Sequence, residues 1–310
     1  MPGNLRELAR FSDGLSCLYV EHAVLERQDK SIALYMAEGM VAVPAASLGL
    51  LLLGPGARIT HAAVVCLAEC GVTLLWMGED STRFYAWGTG KTRSASNLLK
   101  QAMAWAYQSQ RLAVVKRLYS MRFPEPLPDS CTLAQIRGKE GVRVRQSYAA
   151  AGREYGIEWH GRSYKWGDWK ISDPVNRALS CGAASLYGVC HAGIIAAGYS
   201  PAIGFIHVGK QLSFVYDVAD LYKAEVLIPA AFKVAAECPG NPEAAVRKAI
   251  RERMWEVRLL ERVIRDLSEL FSGLGEDVSC DEFDESDAPG SLWDPLQDLP
   301  GGINHAGDDS

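Results

Sequence analysis

At 310 residues and 48% hydrophobic side chains, the chain can bury an ordinary core, and its length favours two domains over one. It is expected to fold without disulfides or a structural metal. The net charge of −5 speaks against a uniformly cationic binding protein, but it conceals an uneven distribution. Residues 276–310 hold eleven acidic side chains and no Lys or Arg, so the remaining 32 basic residues face only 26 acidic ones, a balance of +6. Within 91–170 alone, fifteen basic residues stand against six acidic ones. The body is cationic and the end of the chain is anionic.

No charged-then-apolar leader opens the chain, and no apolar run reaches the roughly 18 residues that a spanning helix needs. A soluble cytoplasmic protein with no membrane partner is expected. The eight cysteines are scattered, with no CxxC pair or zinc-like cluster, and read as reduced thiols. Cys66 and Cys70 share a helical face, which packing explains better than metal.

From Leu15 to Trp87, short apolar or alternating runs alternate with turn signals, as in Ser31–Met36, Met40–Val43, Leu48–Leu53 and Val72–Met77. They predict strands in a compact β domain, with one helix at Thr60–Cys70 capped by Thr60. After Gly88 the period becomes helical, over 95–122, 130–155, 173–197, 214–236 and 241–272. Phe123-Pro124-Glu125-Pro126-Leu127-Pro128 cannot continue a helix and forces a stiff connection. Beyond Gly275 hydrophobicity falls and like charges gather, the composition of a disordered tail. Leu292, Trp293, Leu296 and Leu299 interrupt it and read equally as a docking segment or as an idle sticky patch. The chain is therefore predicted to be α+β: a β-sandwich-like domain over 1–90, an all-helical catalytic domain over 91–275, and a disordered acidic tail over 276–310.

Asp217 and Asp220 carry the sharpest chemical signal. On a helix over 214–236 they stand three residues apart on one face. At an effective dielectric of about 20, two carboxylates 5–6 Å apart repel by roughly 3 kcal/mol, so a cation between them is expected. Lys223 one turn on is one such cation, and a divalent metal is another. His207 lies in an apolar, Gly-bounded loop ahead of that helix, either packed or turned toward Asp220. Glu140 sits among Arg137, Lys139, Arg143 and Arg145, where an intrahelical salt bridge also explains it. Together, two carboxylates, an imidazole and a basic helix are what phosphodiester chemistry requires. A metal polarises the phosphate while Arg and Lys hold the neighbouring phosphates. The interleaved Tyr155, Trp159, His160, Arg162, Tyr164, Lys165, Trp166 and Trp169 suit either base stacking or a partly buried aromatic hairpin. Gly90-Lys91-Thr92 lacks the first glycine of a P-loop, and no nucleophile elbow is present.

Several long stretches match a known family. They are Pro55-Gly56-Ala57-Arg58-Ile59-Thr60-His61-Ala62-Ala63, Arg137-Gly138-Lys139-Glu140-Gly141-Val142-Arg143-Val144-Arg145, Ser185-Leu186-Tyr187-Gly188-Val189, and Ala197-Gly198-Tyr199-Ser200-Pro201-Ala202-Ile203-Gly204-Phe205-Ile206-His207 onward through Asp220. The chain resembles the CRISPR-associated spacer integrase, the larger adaptation subunit, and specifically its subtype I-E branch. The resemblance implies a dimerising N-terminal β domain and a helical catalytic domain. It implies Mg²⁺ or Mn²⁺ held by Glu140, His207 and Asp220, with Asp217 as an additional catalytic acid. It further implies two homodimers flanking a small ferredoxin-like partner dimer in a 4:2 complex on forked protospacer DNA, whose 3′-hydroxyls attack the ends of a CRISPR repeat. Arg58 and Arg83 match DNA-handling positions, Tyr187 lies near the active centre, and Tyr164 and Trp169 match aromatics at the terminal single strand. Arg137, Lys139, Arg143, Arg145, Arg162, Lys223, Arg247 and Arg251 complete the set expected to bind DNA. Two alternatives stay open: a branched-DNA nuclease that never joins, and a non-catalytic subunit that only holds DNA.

Overall fold

The computed structural model describes residues 17–79, 83–89, 95–128, 130–162 and 173–274. The stretch 276–310, expected to be a disordered tail, lies outside the described residues. Strands come first: β1 (Cys17–Val20), β2 (Val24–Gln28), β3 (Ser31–Met36), β4 (Gly39–Pro44), β5 (Leu50–Leu53), β6 (Arg58–Ile59), β7 (Thr73–Met77) and β8 (Phe84–Gly88), with α1 (His61–Glu69) between β6 and β7. Thr60 caps α1 as predicted, its hydroxyl accepting the Ala63 amide. The strands form two four-stranded sheets, ordered β1-β5-β7-β8 and β4-β3-β2-β6.

Successive side chains of a strand point to opposite faces, and β5 uses both. Leu51 and Leu53 meet Leu25, Ile32 and Leu34 of the other sheet and Leu67 of α1. Leu50 and Leu52 meet Leu75, Met77 and the residues Ala192, Ile195 and Ala196 of α5 (Pro174–Ala196). A parallel strand covered on both faces reads as an unbroken apolar run, which is why Leu50–Leu53 shows no alternation. The sandwich-like layer thus carries a layer of helix on its outer side.

The helices that follow are α2 (Ser96–Ala106), α3 (Gln108–Ser120), α4 (Leu133–Tyr155), α5, α6 (Ser213–Ala219), α7 (Ile228–Glu237), α8 (Pro242–Glu256) and α9 (Leu259–Leu270). The fold class is α+β. The structure corrects the prediction that no apolar run is long enough to span a membrane. An 18-residue window of α5 has mean hydropathy 1.4, but 72% of that window is buried inside the protein. It is apolar all round because α7, α8 and α9 pack on it along with β7 and β8.

Three helices predicted as continuous are divided. The 95–122 helix breaks at the extended Tyr107 (φ −92°, ψ 120°), so α2 and α3 take different neighbours. The buried Gln101 of α2 clamps the loop after α5, donating to the carbonyls of Ser200 and Ile203 and accepting from the Ser200 amide. The 241–272 helix turns at Arg258 (φ 48°), which lets both α8 and α9 lie against α5. The 214–236 helix stops at Asp220 and resumes through a π-helical turn, Lys223–Leu227. Pro229 at the start of α7 accounts for the irregular turn just ahead of it, since it cannot donate to the Glu225 carbonyl and its ring crowds that group.

His191 of α5 is buried where the helices meet the sheet, and its ring stacks on Phe84 of β8 at 3.6 Å between centroids. Its Nε2 has no partner among the described residues. Burial pushes its pKa down from 6.5 to about 4, so the folded protein keeps it neutral. Between those values the unfolded chain binds a proton that the folded chain refuses, and stability falls as the pH drops through that window. At 1.36 kcal/mol per unit the loss amounts to about 3 kcal/mol. In denaturant titrations at pH 6.5 and pH 4, His191→Phe is expected to remove most of that difference.

Candidate active site

Asp217 lies at the centre of the site's local architecture. Its carboxylate is 0% exposed and accepts from the amides of Phe205 (2.6 Å), Ile206 (3.0 Å) and His207 (2.9 Å). A buried carboxylate persists only when its oxygens are so satisfied. Gly204 allows the loop to close, because a methyl there would collide with the His207 carbonyl and with Ser213. Phe205 anchors the same loop among Phe214 and Phe271. Two residues later the chain reaches the surface, and the His207 side chain is 44% exposed.

The His207 Nδ1 stands 2.7 Å from the Asp217 Oδ1. With Nδ1–H donating to that carboxylate, Nε2 carries the lone pair and is free to bind, the arrangement of a metal-binding histidine supported by a carboxylate. The hydrogen bond to Asp217 raises the imidazole pKa above 6.5, against the effect of burial, and the charge of Asp220 adds to the rise.

Asp220 ends α6 and faces elsewhere. Its Oδ1 is 2.6 Å from the Lys223 Nζ, and its Oδ2 is 3.5 Å from Nη1 of Arg122. The expectation that Asp217 and Asp220 crowd one face around one cation is therefore corrected. Asp217 points into the core and is fully used by the His207 loop, so it positions a functional residue and does not itself face a substrate. Lys223 is one of the cations that the spacing demanded, and it also lies 5.3 Å from the Tyr187 ring centre. Burial alone would lower its pKa, but Asp220 and Tyr187 outweigh that and hold it charged.

Glu140 arrives from α4, which begins at a capping box between Thr132 and Gln135 just past the proline-rich connection. Arg143 grips it through two bonds of 2.7 and 2.9 Å. Burial favours the neutral acid, but Arg143 and Arg122 reverse this and hold the carboxyl below its usual value. Arg122 projects from the turn after α3, and its Nη1 is 3.2 Å from the Glu140 Oε1. One guanidinium thus bridges two carboxylates that lie eighty positions apart in sequence. Its side chain is 4% exposed, its plane rests near the Tyr119 ring, and its Nε and Nη2 find no partner among the described residues. Nothing in the sequence flagged Arg122, which stands beside the proline-rich segment as a single charge at a helix end.

The structure brings Glu140 and Asp220 together on Arg122 and leaves His207 paired with Asp217. Among the described residues, no three His, Cys, Asp or Glu side chains gather as a metal-holding group. The expected three ligands therefore do not surround one point: Glu140 and Asp220 pair with Arg122, Arg143 and Lys223, and His207 with Asp217.

The predicted DNA contacts divide into three groups. Arg58, Arg83, Arg137, Lys139 and Arg145 are exposed. Arg247 and Arg251 are half-buried on α8, and Arg83 and Arg247 both act on the Cys181 thiol, offsetting part of the rise that burial imposes on it. Arg143 is committed to Glu140, and Arg162 donates to the Asn176 carbonyl and side chain. Tyr164 and Trp169 lie outside the described residues. Trp159, read as part of either a stacking platform or a partly buried aromatic hairpin, is half-buried against the core: it stacks on Tyr148 at 4.8 Å and packs against Phe232.

The family profile described as CRISPR associated protein Cas1 matches residues 119–237, the stretch that holds Arg122, Glu140, His207, Asp217 and Asp220. Over 307 residues the chain is 56% identical to the CRISPR-associated endonuclease Cas1 2 of Thermus thermophilus, covering 99% of this chain and 94% of that one. The chain belongs to the Cas1 family. It is also 39% identical over 253 residues to the CRISPR-associated endonuclease Cas1 of Escherichia coli, covering 81% of this chain and 83% of that one. The crystal structure of a TtCas1–DNA complex matches with a TM-score of 0.80 at 58% identity, covering 86% of this chain and 100% of that one. A Cas1 protein from Thermotoga maritima, at 14% identity and TM-score 0.54, shares the fold.

In this Cas1-family chain the role of Asp217 is separable from that of Asp220. The His207–Asp217 pairing stabilises fully below the unfolded-state value of 6.5 and is lost as the pH rises through the higher folded value. Asp217→Asn is expected to return the His207 titration, followed by NMR, toward 6.5. Asp217→Ala strands three amides and is expected to lower unfolding free energy by about 3 kcal/mol or more in urea.

Proposed function

We propose that this chain is the integrase of spacer acquisition, inserting protospacer DNA into a CRISPR array and also cutting branched DNA. The observation that carries the reading is the meeting of Glu140 and Asp220 on one buried cation, beside the oriented His207 and the exposed cations of α4. The likeness to the Thermus chain, itself named an endonuclease, and to a Cas1 solved with DNA supports it. The subtype I-E assignment rests on the motif resemblance.

In the reaction, a donor 3′-hydroxyl oxygen bonds to a phosphorus at the repeat end and gives up its proton. The bond from that phosphorus to the repeat's own 3′-oxygen breaks, and that oxygen leaves with a proton. Phosphodiester bonds are exchanged and their number is unchanged, so positioning and charge stabilisation are the protein's tasks. Exposed Arg137, Lys139 and Arg145 hold phosphates along α4, with Arg58 and Arg83 extending the track. Two carboxylates and one neutral imidazole nitrogen are a donor set suited to Mg²⁺ or Mn²⁺, and Glu140, Asp220 and His207 would hold it. When bound, such an ion supplies Lewis-acid polarisation of the phosphate.

The same reading assigns homodimerisation to residues 1–90, where the cross-strand pair Tyr35 and Met40 stands exposed on one face of the β3–β4 hairpin. The 4:2 assembly with a small ferredoxin-like partner and forked DNA belongs to this proposal, as does a cytoplasmic location, which the free thiols of Cys66, Cys70 and Cys190 suit.

A strand-transfer assay with a labelled 3′-hydroxyl donor, a supercoiled repeat plasmid and the partner subunit tests the reading. Joined, branched product is expected, and EDTA should abolish it. A nuclease that never joins yields only cut DNA, and an architectural subunit ignores EDTA. Because Glu140 neutralises the buried Arg122, Glu140→Gln and Asp220→Asn are the suitable variants. Each is expected to reduce joining by more than about a hundredfold, since even a supporting partner of a metal ligand costs up to that much. Normal joining by either variant overturns the site assignment.

A further inference from the structure

The outer faces of α2 and α3 are apolar and cationic at once. Leu98, Leu99 and Trp105 on α2 and Leu112 on α3 are exposed, and Leu98, Ala102 and Trp105 follow one another at i, i+4 and i+7 along one helical stripe. The opposite face of α2 is turned inward, where Asn97 and Gln101 bind the carbonyls of Ala197, Ser200 and Ile203. The two helices hold Lys100, Arg111, Lys116 and Arg117 and no Asp or Glu. The Arg111 guanidinium lies 5.0 Å from the Trp105 ring centre, which joins the charge of α3 to the apolar stripe of α2. Single exposed apolar side chains need no partner, but a tryptophan and three leucines on adjoining helices make a surface suited to being covered.

We propose that this face seats the chain's own acidic segment, 276–310, with Leu292, Trp293, Leu296 and Leu299 on the apolar stripe and carboxylates around Lys100, Arg111 and Lys116. The described chain makes its last turns against α3, where Arg117 donates to the carbonyls of Leu270 and Ser272. Leu292 follows Leu274 by 18 positions. A flexible chain of that length spans roughly 23 Å, and more when like charges extend it. Arg111, the residue beside Trp105, is only about 9 Å along α3 from Arg117, at 1.5 Å per residue. Tethering also holds the segment at an effective concentration of about millimolar, so individually weak contacts suffice. The charges are complementary, since eleven acids without a Lys or Arg meet two helices of cations without an acid. A DNA duplex would match the cations and leave the leucines against water, whereas the segment matches both. The inference is independent of the reaction proposed above.

Photo-cross-linking in the full-length protein tests this. With p-benzoylphenylalanine in place of Trp293, irradiation at low salt is expected to join that side chain to residues 98–112 of the same molecule, mapped by peptide mass spectrometry. Hydroxyl-radical labelling of Trp105 is a second measurement that needs no photoreactive group. It is expected to run about tenfold faster in a Trp293→Ser, Leu296→Ser double variant than in the unaltered protein, the ratio for a face covered nine-tenths of the time. Cross-links confined to other parts of the chain overturn the proposal, as does equal labelling of Trp105 in the two proteins. A cross-link to residues 98–112 of another molecule, read as a doubled mass, makes the face an interface between copies and also overturns it. If duplex DNA shields Trp105 where the segment does not, the face is a nucleic-acid surface and the proposal fails.

Discussion

The site depends on a carboxylate that never meets solvent. Asp217 holds three consecutive amides and one imidazole nitrogen, converting a Gly-bounded loop into a rigid support for His207. A charge buried in this way is tolerable only while its donors stay in place, so the loop and the carboxylate require each other. The clamp extends further, since Gln101 binds the preceding turn at Ser200 and Ile203 and fixes the approach of the chain from α5. His207 is therefore aimed by groups on α2 and α6, neither of which needs to touch DNA.

A second constraint is electrostatic. The exposed cations of α4 are free to meet phosphate, whereas Arg143, Lys223 and Arg122 on or beside the same surface are committed to carboxylates. For Glu140, Arg143 and Arg122 outweigh the burial that would favour the neutral acid and hold its carboxyl below the usual value. A chain with formal charge −5 can in this way carry a cationic body, because eleven of its acids are concentrated in residues 276–310 and those at the site are paired with Arg or Lys.

Sequence carried much of this outline. The cap at Thr60, the runs at Ser31–Met36 and Leu50–Leu53, and the change from strand to helix after Gly88 are local signals, and local signals survive folding. The breaks at Tyr107 and Arg258 left no such trace, because which neighbours a helix packs against is decided by the rest of the chain. The pairing of Asp217 and Asp220 misled for a related reason. Spacing says which residues share a helical face, but the helix ends at Asp220, and past that point the geometry of a regular helix no longer applies. Arg122 was invisible, since its partners lie 18 and 98 positions away and no periodicity connects them.

The two-faced burial of β5 links these observations. Leu51 and Leu53 bind the two sheets together, while Leu50 and Leu52 bind one sheet to α5, the helix that also carries Tyr187 and supports α7, α8 and α9. The strands cannot shift relative to the helices without exposing that shared core, at about 25 cal/mol for each Å² of apolar surface. Arg83, just before β8, and Arg247, on α8, act on the same Cys181 thiol across the junction. The backbone positions from which the sheet layer and the helices contribute these cations are thus set by one shared core. On the proposed function, the position at which a phosphate backbone would meet Glu140 and Asp220 is therefore set by the hydrophobic core that joins the sheets to α5.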